Sequence, residues 1–130
     1  MKKKVLILDD DPDILFTLQV MLENDGYEVE QLSSGKSIID GSSPVPDLYV
    51  LDKRMPDMDG LDVCRYLRNR EDSRKVPIII ISASPKFGPQ ALKAGANDFL
   101  EKPFQMKEFL TLVRKYMGVL VPLGLTVWSG

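Results

Sequence analysis

The sequence predicts an α/β protein in which five βα units wind into an open parallel sheet with helices on both faces. Three observations carry this expectation. Short apolar runs alternate with segments of helical period five times along 130 residues. Two of those runs, 48–51 and 78–81, are apolar throughout, as strands covered on both faces are. Polar or charged residues then stand at strand ends, where such sheets gather their chemistry: Asp9, Asp10, Asp52, Ser82 and Lys102.

Taken in order, Val5 to Leu8 form the first strand and lead into Asp9, Asp10 and Asp11, three carboxylates that repel one another unless a cation sits among them. Pro12 suits a first helical turn, capped by one of these aspartates. Ile14, Leu18, Met21 and Leu22 recur at helical spacing until Asn24, Asp25 and Gly26 stop the helix. Residues 27–32 alternate weakly as a second strand, 37–40 give a short helix and 41–46 a polar loop. The third strand runs into Asp52, a carboxylate expected to be exposed at the sheet edge, and Pro56 and Gly60 turn the chain. Leu61, Cys64 and Leu67 give the next helix its buried face, with a polar tail from Arg68 to Lys75. Cys64 reads as a small core residue. After Pro77, four successive isoleucines disfavour a helix and suit a covered strand. A short helix over 90–94 is closed by Gly95, and 98–100 form the fifth strand. The last helix spans 105–117, with Phe109, Val113 and Tyr116 on one face.

Composition narrows the function. Hydrophobic residues make up 44% and charged residues 28%, an ordinary balance for one compact domain. A formal net charge of -2 supplies no drive toward nucleic acid or a membrane surface, so neither is an expected partner. One cysteine excludes an internal disulfide and a cysteine metal cluster, and fits a reducing compartment. The absence of histidine removes histidine zinc sites, serine–histidine triads and any phosphohistidine on this chain. The opening MKKKVLILDDD is too short in apolar residues for a signal peptide, and no run approaches a membrane span. A cytoplasmic location is expected.

Parallel strands bring their carboxyl ends to one edge, so residues distant in sequence converge. Carboxylates without imidazole or thiolate make an all-oxygen site, which favours a hard cation: Mg²⁺, with Mn²⁺ as a substitute. A metal store alone has no need of an ammonium at its rim. Phosphoryl transfer has, because charge spreads over three oxygens in its transition state. On this reading Asp52 attacks phosphorus to give an acyl phosphate, while Asp10 and Asp52 bind the metal and Asp9 helps directly or through water. Lys102 faces a second oxygen and the Ser82 hydroxyl a third.

The chain resembles the receiver domains of two-component response regulators. LILDDDPDI matches the family's acidic pair at Asp9 and Asp10, and YVLDKRMPDMDG the segment around its phosphorylated aspartate at Asp52. PIIIISA places its hydroxyl residue at Ser82, and GANDFLEKPF its lysine and proline at Lys102 and Pro103. These four motifs agree in order across residues 3–117. The resemblance implies a flavodoxin-like three-layer sandwich with strand order 2-1-3-4-5, and adds the main-chain carbonyl of Arg54 as a metal ligand. It implies a phosphoryl group taken from a histidine kinase or histidine phosphotransfer protein, with slow self-hydrolysis in place of dedicated enzymatic turnover. It also implies an altered face on the fourth helix, fifth strand and fifth helix, where an output domain or protein binds or a phosphorylated pair dimerises. Ser82 and Phe99 take the switch positions, and Pro103 is the candidate for a cis peptide bond.

The chain departs from the family's pattern in three places. Phe99 stands where tyrosine is frequent, so its ring rotates without a hydroxyl to bond. The stretch between Ser82 and Gly95 is shortened and holds Pro85, Gly88 and Pro89, which makes a short or irregular fourth helix. Lys53 and Arg54 add positive charge beside Asp52.

Two other readings compete. A degenerate receiver would bind partners without phosphorylation; the complete acid, hydroxyl and lysine set stands against it. A Mg²⁺-dependent phosphohydrolase would also use an aspartate nucleophile, but no cap domain is present, and Arg54 occupies the place of a second acid. Residues 1–117 are expected to form the receiver domain. The uncharged, apolar residues 118–130 read as a linker remnant, an appended segment or a packing tail.

Overall fold

The computed structural model describes residues 2–118, which form a parallel five-stranded sheet in the order β2-β1-β3-β4-β5. Its strands are β1 (Lys4–Leu8), β2 (Glu28–Leu32), β3 (Leu48–Asp52), β4 (Ile78–Ser82) and β5 (Asp98–Glu101). They alternate with α1 (Pro12–Asn24), α2 (Lys36–Ile39), α3 (Gly60–Arg68), α4 (Gly88–Lys93) and α5 (Met106–Met117). A 3₁₀ turn, Pro85–Phe87, precedes α4. The doubly wound sheet and its strand order are those expected.

Successive strand residues point to opposite faces, so an all-apolar strand feeds two cores. Val5, Ile7, Val50, Ile79 and Ile81 pack with Leu18 and Leu22 of α1 and with Phe109 and Val113 of α5. Leu6, Leu8, Tyr49, Leu51, Ile78 and Ile80 pack on the other face with Leu61, Cys64 and Leu67 of α3 and Ala91 of α4. Every residue of β3 and β4 is buried. β2 lies at the sheet edge with two of its residues exposed and none fully buried, which accounts for its weak alternation.

Helix ends follow local chemistry. Asp11 caps α1 by accepting from the Asp13 N–H, and Asp59 caps α3 by accepting from Leu61. Gln105 and Glu108 form a reciprocal capping box, so the last helix starts at Met106 and Gln105 is its cap. α4 starts at Gly88 instead of residue 90. Pro85 and Pro89 sit in first turns, where a missing N–H costs nothing, so they begin these turns instead of interrupting them. The segment is short and partly 3₁₀, as expected. Tyr116 is only partly buried, its hydroxyl donating to Asp98 at 2.6 Å, and Met117 fills the buried position. Arg68, expected in a polar tail, instead donates to the carbonyls of Gly95 and Val76 and to the side chain of Asn97, tying α3 to the β4 and β5 entries. The expected tail beyond Gly118 lies outside the described residues. Among those described, no helix is long and apolar enough to cross a membrane.

Candidate functional site

Strand register brings the site together. Leu8 pairs with Leu51, Asp52 with Ile81 and Ser82 with Glu101, so Asp9, Asp52, Ser82 and Lys102 stand at adjoining strand ends. All four line one cleft, with Asp10, Arg54 and Phe87. A carboxylate oxygen from each of Asp9, Asp10 and Asp52 lies within 4.8 Å of the other two.

The acidic run after β1 divides its labour. Asp9 is buried and its Oδ1 accepts from the Asp11 N–H at 2.9 Å, which fixes its orientation. Asp10 is exposed on the rim of the cluster, and Asp11 turns away to cap α1. Asp52 is buried, 7% exposed, against the expectation of an exposed carboxylate. It does end its strand at the sheet edge, but the segments that follow β3 and β4 wall the cleft around it. Gly60 makes that closure possible. Its N–H donates to the Lys53 carbonyl at 2.8 Å, and a Cβ there would lie 2.2 Å from the Asp52 carbonyl oxygen.

Lys102 places its Nζ 3.0 Å from Asp9 Oδ2 and 3.5 Å from Asp52 Oδ2, closer to the acid after β1 than to the one after β3. Its N–H donates to the Ser82 carbonyl at 2.8 Å, and the Lys102–Pro103 peptide bond is cis. Burial, with the Asp9 carboxylate second, raises the Asp52 carboxyl to about 6; Lys102 and the Arg54 N–H oppose the shift. Two buried carboxylates sharing one ammonium are short of positive charge. An oxygen-only donor set in that condition fits a hard divalent ion such as Mg²⁺ or Mn²⁺.

Ser82 is buried in the cleft wall, but its Oγ accepts from the Ser84 N–H at 3.1 Å and bonds neither carboxylate. Phe99 is partly buried outside the cleft, beside Gly88, where an added Cβ would stand 3.6 Å from the ring. Sequence reasoning placed Lys53 beside Asp52 but missed what its side chain meets, Asp59 and Phe87. Lys53 places its Nζ 2.8 Å from Asp59 Oδ2 and 3.9 Å from the centre of the Phe87 ring. Phe87 lay in a segment rich in helix breakers, with no periodicity to assign it to core or cleft.

Residues 5–114 match the response regulator receiver domain family. The response regulator MprA of Mycolicibacterium vanbaalenii is 37% identical over 125 residues, covering 94% of this chain and 53% of that protein. MprA of Mycobacterium tuberculosis is 38% identical over 117 residues, covering 88% and 50%. The chain thus spans about half the length of these curated relatives. Among solved structures, the receiver domain of the sensor histidine kinase PA1611 from Pseudomonas aeruginosa has a magnesium ion coordinated in its active-site cleft. It superposes with a TM-score of 0.81 at 30% identity, over 91% of this chain and 99% of that one. The chemotaxis response regulator CheY4 of Vibrio cholerae superposes with a TM-score of 0.82 at 26% identity, over 90% and 100%. A family match that runs through all four strand-end motifs makes this chain a member of the response regulator receiver domain family.

Proposed function

We propose that this domain is a phosphoaccepting switch in which Asp52 takes a phosphoryl group from a histidine kinase or a histidine phosphotransfer protein. The observation that carries the reading is the convergence of Asp9, Asp10 and Asp52 within 4.8 Å around a lysine shared by two of them. Asp52 is taken as the acceptor because it ends β3 where the receiver family carries its phosphorylated aspartate. That Asp9 already accepts from the Asp11 N–H and Lys102, and that Asp10 stands on the exposed rim, supports this choice. The Arg54 carbonyl completes the proposed metal ligands, and Arg54 lines the same cleft. When bound there, Mg²⁺ offsets the charge of the carboxylates and of the phosphoryl oxygens. The magnesium in the P. aeruginosa receiver's cleft supports this choice of cation.

An Asp52 oxygen attacks phosphorus in line, the bond from phosphorus to the donor's imidazole nitrogen breaks, and the electron pair stays on the ring. Lys102, already 3.5 Å from Asp52, is placed to follow the charge onto a phosphoryl oxygen. The Ser82 hydroxyl, which accepts from Ser84, still has its proton to donate to another. Drawing Ser82 inward shifts the start of the segment leading to α4, and Phe99 adjusts against Gly88. The face of α4, β5 and α5 then changes its affinity for an output domain, a partner protein or a second copy. Turnover is slow self-hydrolysis, not dedicated catalysis.

Intact mass after incubation with a small phosphodonor tests this. Wild-type protein with Mg²⁺ should gain one phosphoryl group, and Asp52→Asn none. Labelling retained in Asp52→Asn would overturn the assignment. An unlabelled but folded and cation-binding wild type would favour a module that binds partners without phosphorylation.

A further inference from the structure

Lys53 and Phe87 have no part in the chemistry above, yet both line the cleft that holds Asp52. Lys53 follows Asp52 directly, and its backbone is fixed on both sides: its N–H donates to Ile81 O at 2.8 Å and its carbonyl accepts from Gly60 at 2.8 Å. Its side chain is also held. The ammonium sits between Asp59 Oδ2, at 2.8 Å, and the face of Phe87, at 3.9 Å from the ring centre. A cation over an aromatic face is attracted by the ring quadrupole, more strongly where water is partly excluded.

Phe87 ends the 3₁₀ turn between β4 and α4. Little else anchors that stretch. Neither the turn nor α4 has a side-chain cap bond, the turn buries no residue, and α4 buries only Ala91. Gly88, the next residue, faces the Phe99 ring, which an added Cβ would meet at 3.6 Å. Segments with so few buried contacts open at low free energy, so one well-placed contact decides how much of the time they stay closed.

We propose that Lys53 is a positioning residue that latches residues 85–93 against the Asp52 cleft through Phe87, and thereby sets how long a phosphoryl group on Asp52 survives water. The proposal rests on the reading of Asp52 as acceptor. With the latch closed, Phe87 walls the cleft between the segments after β3 and β4. With it open, a water oxygen reaches phosphorus from the side opposite Asp52. The new P–O bond forms, the bond to the Asp52 oxygen breaks, and inorganic phosphate leaves with the water's proton passing to phosphate or solvent. The same latch passes the state of the cleft to Phe99, because Phe87 and Gly88 are consecutive.

Two readouts on one variant set test it. Amide hydrogen exchange over 85–93 in the unphosphorylated protein reads the latch, and the half-life of the phosphoryl group reads its consequence. Lys53→Met keeps the apolar stem and removes the charge; it and Phe87→Ala should each speed exchange about threefold or more and shorten the half-life similarly. The double variant should be no worse than either single one, since both break one contact. Lys53→Arg should restore both readouts toward wild type, because guanidinium also stacks on an aromatic face. Lys86→Gln, which removes an exposed ammonium 5.1 Å from the same ring, should leave both within about twofold. Exchange and half-life within about twofold of wild type in Lys53→Met would overturn the latch, as would effects that multiply in the double variant. A wild type that accepts no phosphoryl group defeats the acceptor reading instead, and the exchange data still decide whether the latch exists.

Discussion

Asp9 and Asp52 are two buried carboxylates that share one ammonium, and this imbalance explains most of the site's behaviour. Lys102→Ala should leave the three carboxylates able to bind Mg²⁺, since their positions come from strand ends and not from the lysine. On the proposed reading phosphoryl acceptance should fall by about tenfold or more, because Lys102 would no longer stabilise the transition-state charge. Calorimetric Mg²⁺ titration and the rate of mass gain separate the two effects; lost metal binding with unchanged acceptance would contradict these roles. Tyr49, in the core between the sheet and α3, offers a pH test. Burial foremost, with Asp72 adding and Arg70 opposing, pushes its hydroxyl from 10.0 up to about 12. The unfolded chain loses this proton first, so the group's contribution to stability is intact below pH 10 and lost as pH rises from 10 toward 12. Ultraviolet titration should find Tyr49 un-ionised in the folded protein at pH 10, and Tyr49→Phe should flatten the fall in stability above it. The site's residue types were legible in the sequence, because acids, a hydroxyl and a lysine stood at the ends of apolar runs. The burial of Asp52 was not. It depends on how segments after two different strands close over it, which no local pattern encodes.

At the scale of elements, two glycines with opposite surroundings test how the cleft is built. A Cβ on Gly60 would lie 2.2 Å from the Asp52 carbonyl oxygen, on a strand held by both neighbours. Gly60→Ala should therefore destabilise the fold by about 2 kcal/mol or more and slow phosphoryl acceptance by shifting Asp52. A Cβ on Gly88 would make only ordinary contact with Phe99, at 3.6 Å, and the residue already has right-handed helical angles. Gly88→Ala should be tolerated or stabilising by about 0.5 kcal/mol. Urea unfolding of the two variants checks both, and equal effects would contradict the packing described. The strands and the long helices were legible from period and caps. α4 was less so, because Pro85, Gly88 and Pro89 read as breakers until their place in first turns is seen. Arg68 was misread for a related reason: a charged residue at a helix end looks solvent-bound unless the carbonyls it meets are known.

The whole molecule gives these parts their function. Five parallel strands put every carboxyl end at one edge, and the winding reverses between β1 and β3, where a crevice opens beside Asp9 and Asp52. Apolar layers on both faces hold that edge fixed, which keeps the carboxylates together. This level was the most legible, because the continuous runs of β3 and β4 demand two covering layers and βα alternation demands parallel strands. Contacts between segments distant in sequence, such as Lys53 with Phe87, became visible only in the folded chain. The most direct measurement locates the phosphoryl group. Protein treated with a small phosphodonor and Mg²⁺ would be quenched with hydroxylamine, which converts an acyl phosphate into a hydroxamate, and mapped by peptide mass. The hydroxamate should be found at Asp52 and at no other carboxylate. Its appearance at Asp9 or Asp10, or its absence from folded protein that binds Mg²⁺, would contradict the account.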